Sequence, residues 1–128
     1  MRRILTLFGT RPEVIKLAPV IAELERRSDR LETRNIASSQ HVELLHPFAR
    51  HFGIRIDDDL EVMHPGQTPT EVAARVLLAL DPVLERERPD LVLVQGDTTT
   101  AMAGALAAWQ RGLDVGHVEA GLRTGDLR

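Results

Sequence analysis

The sequence predicts an α/β fold: a Rossmann-like parallel sheet with helices on both faces. Three observations carry that prediction. Short apolar, β-branched runs alternate with longer segments whose apolar residues recur at helical spacing. The strand-like runs are continuous rather than alternating, as strands covered on both faces require. The unusual polar residues also gather just after the strands, which in a parallel sheet puts them on one edge.

Each element has its own signal. Residues 3–8 (RILTLF) are apolar and bounded by Gly9, which reads as a buried strand. Residues 12–27 follow as a helix, with Pro12 suited to its first position and Val14, Leu17, Ala18, Ile21 and Leu24 on one face. Residues 32–37 are a weaker strand. Residues 41–52 read as a helix striped by Val42, Leu45, Phe48, Ala49 and Phe52, closed by Gly53. Residues 54–66 are irregular and acidic, and Asp57, Asp58 and Asp59 read there as solvated loop acids. Residues 70–88 form a long helix, capped by Thr68 or Thr70, in which Pro82 should introduce a kink. Residues 91–95 (LVLVQ) are the clearest strand, set between Pro89 and Gly96. Residues 98–111 are a helix opening with small residues that can lie close on a sheet, and residues 115–118 are the last strand. This order requires parallel strands joined by right-handed crossovers.

Composition narrows the function. The 128 residues fill one ordinary domain, and 43% hydrophobic with 3% aromatic content means an aliphatic core. A net charge of -3 with scattered arginines argues against a nucleic-acid surface. The absence of cysteine excludes disulfides, thiolate metal sites and thiol nucleophiles. The apolar run at the start is too short for a signal-peptide core, and no stretch is long enough to span a bilayer. A soluble, cytoplasmic protein with no membrane association is expected. The sequence stops on a loop after a strand, where a helix should begin. Residues 1–128 are therefore expected to be an N-terminal Rossmann-like domain, incomplete and without its second domain. An unfinished sheet should leave an edge or face uncovered and be modestly stable alone.

Four junctions hold the candidate chemistry: Gly9 to Glu13, Ser38 to His41, Gly96 to Thr100, and His117 to Asp126. The first has one glycine rather than a dinucleotide fingerprint, and no Walker-type lysine motif occurs. It offers Arg11 and then Lys16 at a helix start, where cations and free backbone N–H groups suit a phosphate or carboxylate. A tight turn in which Arg11 pairs with Glu13 explains the same residues. Lys16 is the only lysine beside fifteen arginines, consistent with a need for a compact ammonium. Asp97 reads either as a helix N-cap or, with Glu119 at the end of the next strand, as half of an acid/base pair. His41, His46 and His51 recur every five residues, which spreads them around a helix and disfavours a metal site. His46 and His51 read as surface residues, and His64 as a loop residue without ligand company.

Taken together, Phe8-Gly9-Thr10-Arg11-Pro12-Glu13 with Lys16, Gln40-His41, Gly96-Asp97-Thr98-Thr99-Thr100 and Gly116-His117-Val118-Glu119-Ala120-Gly121-Leu122-Arg123-Thr124-Gly125 resemble the bacterial non-hydrolysing UDP-N-acetylglucosamine 2-epimerases. Order and spacing agree along the whole chain. The resemblance implies the first part of a glycosyltransferase-B-like two-domain fold with its active site between the domains. It implies interconversion of UDP-N-acetylglucosamine and UDP-N-acetylmannosamine by elimination and re-addition of UDP, without cofactor or metal. It further implies a UDP-sugar substrate, a homodimer, and a place in cell-surface polysaccharide biosynthesis. By the same likeness Asp97 and Glu119 are catalytic, while Arg11, Lys16, Arg123 and Thr124 bind substrate. Gln40, His41 and Gln67 match residues with which some members bind a second, activating UDP-N-acetylglucosamine, although Gly66 stands where some relatives carry Arg. A glycosyltransferase half-domain and a non-catalytic nucleotide-sugar-binding fragment are the competing expectations.

Overall fold

The structure is a computed structural model that describes residues 1–39, 42–62, 64–120 and 124–126. The elements run β1 (Arg2–Phe8), α1 (Arg11–Arg26), β2 (Leu31–Ala37), α2 (Val42–His51), β3 (Asp58–Asp59), α3 (Pro69–Glu87), β4 (Leu91–Gln95), α4 (Thr99–Gln110) and β5 (Asp114–Val118). All strand pairs are parallel, in the order β3-β2-β1-β4-β5.

Period-two alternation sorts the strand side chains between two cores. Leu5, Leu7, Val92 and Val94 face Val76, Leu80, Ala103 and Ala107 of α3 and α4. Phe8 faces Val14, Leu17 and Ile21 of α1, with Leu45 and Ala49 of α2. Helices thus cover both faces, as predicted. The small residues of α4 bring it down onto the sheet, with Gly104 set directly against Leu7 and leaving no room for a Cβ. Chain order reverses between β1 and β4. Because α1 and α4 leave on opposite faces there, a crevice opens above the carboxyl ends of these two strands.

Thr68 caps α3: its hydroxyl accepts from the Glu71 N–H at 3.1 Å, and the Glu71 carboxylate accepts from the Thr68 N–H at 2.8 Å. That helix runs unbroken through Pro82. Along α4, Met102, Leu106 and Trp109 recur on the solvent side, beside exposed Val115 on β5. Together they form an exposed apolar face. Among the described residues no helix is long and apolar enough to cross a membrane.

Two expectations fail in the acidic stretch. Asp58 and Asp59 are not loop acids but a fifth strand, paired with Ile36 and Ala37. Two residues are too few to show alternation. Backbone bonds from the Asp57 N–H to the Asn35 carbonyl at 2.8 Å and from the Leu60 N–H to the Ala37 carbonyl at 2.7 Å make the strand, and side-chain bonds reinforce it. The Asp57 carboxylate accepts from the Asn35 N–H at 2.8 Å. The Asp59 side chain, 8% exposed, accepts from the Ser39 N–H at 3.1 Å, the Ser39 hydroxyl at 2.5 Å and the Glu61 N–H at 2.9 Å. His46, expected on the surface, is half-buried with Nε2 2.7 Å from Asp59 Oδ2. An apolar stripe cannot report such a partner, since the partner comes from a distant part of the chain. His51 is exposed, as expected.

Candidate active site at the carboxyl rim

The crevice is built from the residues that end β1, β2, β4 and β5. Gly9 brings the first junction close to the second: a Cβ there would stand 2.5 Å from the Ser38 hydroxyl and 3.2 Å from that of Thr100. Those two hydroxyls share a buried hydrogen bond of 3.0 Å. The junctions after β1, β2 and β4 are therefore locked into one rim. The fourth joins through β5, where the Gly96 N–H donates to the Val118 carbonyl at 3.1 Å and His117 Nε2 lies 2.6 Å from the Gly96 carbonyl.

Of the two explanations for the first junction, the pairing of Arg11 with Glu13 is not what the structure shows. The Glu13 side chain turns inward and is 1% exposed. One carboxylate oxygen accepts from the Gly9 N–H at 3.0 Å, the Thr10 N–H at 2.7 Å and the Thr10 hydroxyl at 2.7 Å. The other accepts from the Thr98 hydroxyl at 2.9 Å, across the crevice. The Gly9 and Thr10 amides are consequently not free for a phosphate, as the junction had suggested. Any anion here must be met by side chains. Arg11 points outward, its guanidinium 5.8 Å from the Phe48 ring centroid, close enough for a cation–π contact. Lys16 is exposed and has no hydrogen-bond or ion-pair partner among the described residues.

The two readings of Asp97 also separate. The N-cap of α4 is Thr98, whose hydroxyl accepts from the Ala101 N–H at 3.1 Å. Asp97 is left exposed, with no bond to its carboxylate among the described residues. It stands at the mouth of a groove of about 330 Å³ between α4 and β5, lined by Met102, Ala105, Val115 and His117. Gly96 makes the turn with φ +74°, and a Cβ there would stand 3.8 Å from Glu119 Oε2. The Glu119 carboxylate thus lies over the backbone beside Asp97, its other oxygen accepting from the Ala120 N–H at 2.7 Å. Glu119, just past the end of β5, thus stands beside the turn after β4 that carries Asp97.

The other described site residues, Thr124 and Gln67, make local bonds. The Thr124 hydroxyl bonds locally, accepting from the Asp126 N–H at 3.1 Å. The Gln67 amide is engaged within its own loop, donating to the Val62 carbonyl at 3.0 Å and accepting from the His64 N–H at 2.6 Å. Gln40, His41 and Arg123 lie outside the described residues. Among those described, no three potential ligands converge as a metal ion would require. A larger cavity, about 370 Å³, lies away from this rim among Glu25, Glu32, Arg34 and Arg55. Its acids and bases are joined in ion pairs.

Sequence reasoning missed the roles of Glu13 and Thr98. The spacing Thr10-x-x-Glu13 is a capping-box pattern and signals the local half of the arrangement. Nothing in the spacing signals the bond to Thr98, which spans 85 positions.

A parallel sheet with a crevice at its switch point and helices on both faces defines a Rossmann-like α/β protein. The family model for UDP-N-acetylglucosamine 2-epimerase matches residues 22–128, and the chain belongs to that family. A UDP-N-acetylglucosamine 2-epimerase of Yersinia pestis is 50% identical over 125 residues, covering 98% of this chain and 33% of that protein. The structure is similar to the Neisseria meningitidis UDP-GlcNAc 2-epimerase bound to UDP-GlcNAc, with TM-score 0.90 and 46% identity over 98% of this chain and 33% of that one. It is also similar to the Methanocaldococcus jannaschii enzyme in complex with UDP-GlcNAc and UDP, with TM-score 0.86 and 37% identity over 97% and 34%. The chain spans about a third of the length of these relatives.

Proposed function

We propose that the protein to which this chain contributes interconverts UDP-N-acetylglucosamine and UDP-N-acetylmannosamine. The observation that carries the reading is that the Glu119 carboxylate lies over Gly96, next to an Asp97 that no capping role consumes. It is supported by family membership and by relatives solved with UDP-GlcNAc bound.

The C2 proton of the sugar is not acidic, so direct deprotonation is costly. Expelling UDP from C1 as the proton leaves C2 gives a glycal. Re-adding UDP after a proton reaches the opposite face of C2 gives the epimer. Asp97 and Glu119 are the acid/base pair, on adjacent strand ends. Arg11, Lys16 and Arg123 offset the charge developing on the departing diphosphate, and Thr124 shapes the cleft. With the first-junction amides held by Glu13, side-chain cations carry this task. A second domain closes the cleft in a glycosyltransferase-B-like arrangement. The exposed Met102, Leu106 and Trp109 stripe favours a homodimer. The site works in the cytoplasm, supplying nucleotide sugar for cell-surface polysaccharide. Gln40, His41 and Gln67 belong to a regulatory site for a second substrate molecule.

Turnover of the full-length protein in deuterated water tests the chemistry. Deuterium is expected at C2 of both sugars, and retention of the original proton sinks the elimination route. Asp97→Asn and Glu119→Gln should each lower kcat by about two to four orders of magnitude. Wild-type rates in both would remove the pair from the mechanism.

A further inference from the structure

We infer that Glu13 is a positioning residue for Asp97, acting through Thr98 across the switch point of the sheet. The inference rests on the epimerase reading of Asp97 and adds to it the element that holds the carboxylate in place.

Glu13 is 1% exposed and accepts four hydrogen bonds, three from Gly9 and Thr10 and one from Thr98. Among the described residues it makes no ion pair, so hydrogen bonds alone balance its burial. A capping box needs only the local bonds made by one oxygen. The second oxygen is spent on a hydroxyl from a different strand end. That hydroxyl sits in a relay: the Ala101 N–H donates to Thr98 Oγ1 at 3.1 Å, and Thr98 Oγ1 donates to Glu13 Oε1 at 2.9 Å. The relay fixes both the N-cap rotamer and the start of α4 relative to α1.

Asp97 immediately precedes that cap and follows Gly96, whose φ of +74° sets the turn. No hydrogen bond holds the Asp97 carboxylate itself among the described residues. The position and Cα–Cβ direction from which it projects are therefore set by the backbone on either side, and Thr98 is the side anchored to the opposite wall of the crevice. Misplacement of a reacting group by about 1 Å costs on the order of a hundredfold in rate, so a bond that fixes this backbone acts on kcat.

The test combines kinetics and amide hydrogen exchange in the full-length protein. Glu13→Gln keeps the shape but puts an amide donor among four donors. We expect kcat to fall about tenfold to a hundredfold with KM changed less than about threefold. Exchange should quicken both in peptides covering residues 8–14 and in those covering 96–101. Thr98→Val breaks only the bridge and the α4 cap, so it keeps the test available if Glu13→Gln does not fold. It should lower kcat in the same way and quicken exchange only in residues 96–101, and Thr98→Ser should restore both. The double variant should be no slower than the slower single one. Exchange confined to residues 8–14 in Glu13→Gln, or an unchanged kcat while Asp97→Asn is inactive, overturns the Glu13 inference alone. Wild-type turnover in Asp97→Asn instead overturns the reading beneath it.

Discussion

The two rims of the sheet treat their charges differently. At the amino rim several ionic groups satisfy one another: Arg3 meets Glu32 at 2.7 Å, Arg34 meets the same carboxylate at 3.2 Å, and Arg111 bridges Asp81 and Glu85. At the carboxyl rim Lys16 and Asp97 have no ionic partner among the described residues, and Arg11 rests on Phe48. Exposed lone charges cost little, because water solvates them and surface pairing contributes little. The rims differ in availability rather than stability. These paired charges serve the fold, whereas Lys16 and Asp97 stand uncompensated, among the described residues, where the crevice opens. Even the carboxyl rim contains both kinds, since Glu13 and Asp59 are saturated with donors while Asp97 is not.

Neutralising a charge from each rim should separate the two roles most widely. Lys16→Gln in the full-length protein is expected to lower kcat/KM by about tenfold to a thousandfold while leaving the melting temperature within about 1 °C. Arg3→Gln is expected to do the reverse, lowering the melting temperature and leaving turnover unchanged. Equal loss of turnover in both variants would erase the distinction between the rims.

That contrast also marks what the residues alone revealed. The four longer strands, the helices on both faces and the placement of Asp97 and Glu119 on one rim follow from apolar runs and from the junctions after them. Periodicity reports which face of an element is buried, so these features are legible. It does not report which polar side chain meets which across the chain. Glu13 admits a local pairing with Arg11 in the sequence, because no spacing reports a bond to Thr98 that crosses the fold. Asp59 reads as a loop acid because two residues carry no pattern and its donors come from Ser39, His46 and Glu61. The predicted helix starts were close, but the assignment of the α4 cap to Thr98 over Asp97 needed coordinates.

Asp59 offers an effect of intermediate size within the carboxyl rim. Burial alone would raise its carboxyl pKa, yet bonds donated by the Ser39 hydroxyl, His46 and the Glu61 and Ser39 amides outweigh burial and hold it below 3.8. The folded value is thus depressed relative to the unfolded one. Its contribution is complete above the unfolded pKa and is lost as pH falls through the folded pKa. Asp59→Asn should cost about 1–3 kcal/mol at neutral pH. The gap from wild type should hold above about pH 5 and narrow below about pH 4 in denaturant titrations. A gap that widens on acidification would mean the carboxylate is not held by those donors.

The smallest effect is expected at the amino rim, where Arg111 ties the end of α4 to α3. Its guanidinium meets Asp81 at 2.6 Å and also reaches Glu85, with both acids well exposed. The Asp81 bond first, and the Glu85 bond second, push the Arg111 pKa upward, and the same contact holds the Asp81 carboxyl below its ordinary value. By linkage, this pair stabilises above the unfolded Asp pKa and fades as pH falls through the folded value. Side-chain ordering and solvent screening absorb most of the attraction. Arg111→Gln should therefore shift the melting temperature by no more than about 2 °C at low salt, and by less at about 1 M salt, where the Debye length is near 3 Å. Calorimetry at the two salt concentrations checks this. A large, salt-independent loss would mean that Arg111 fixes α4 by packing, in which case an amino-rim residue shapes the groove beside Asp97 and the separation of the rims is incomplete.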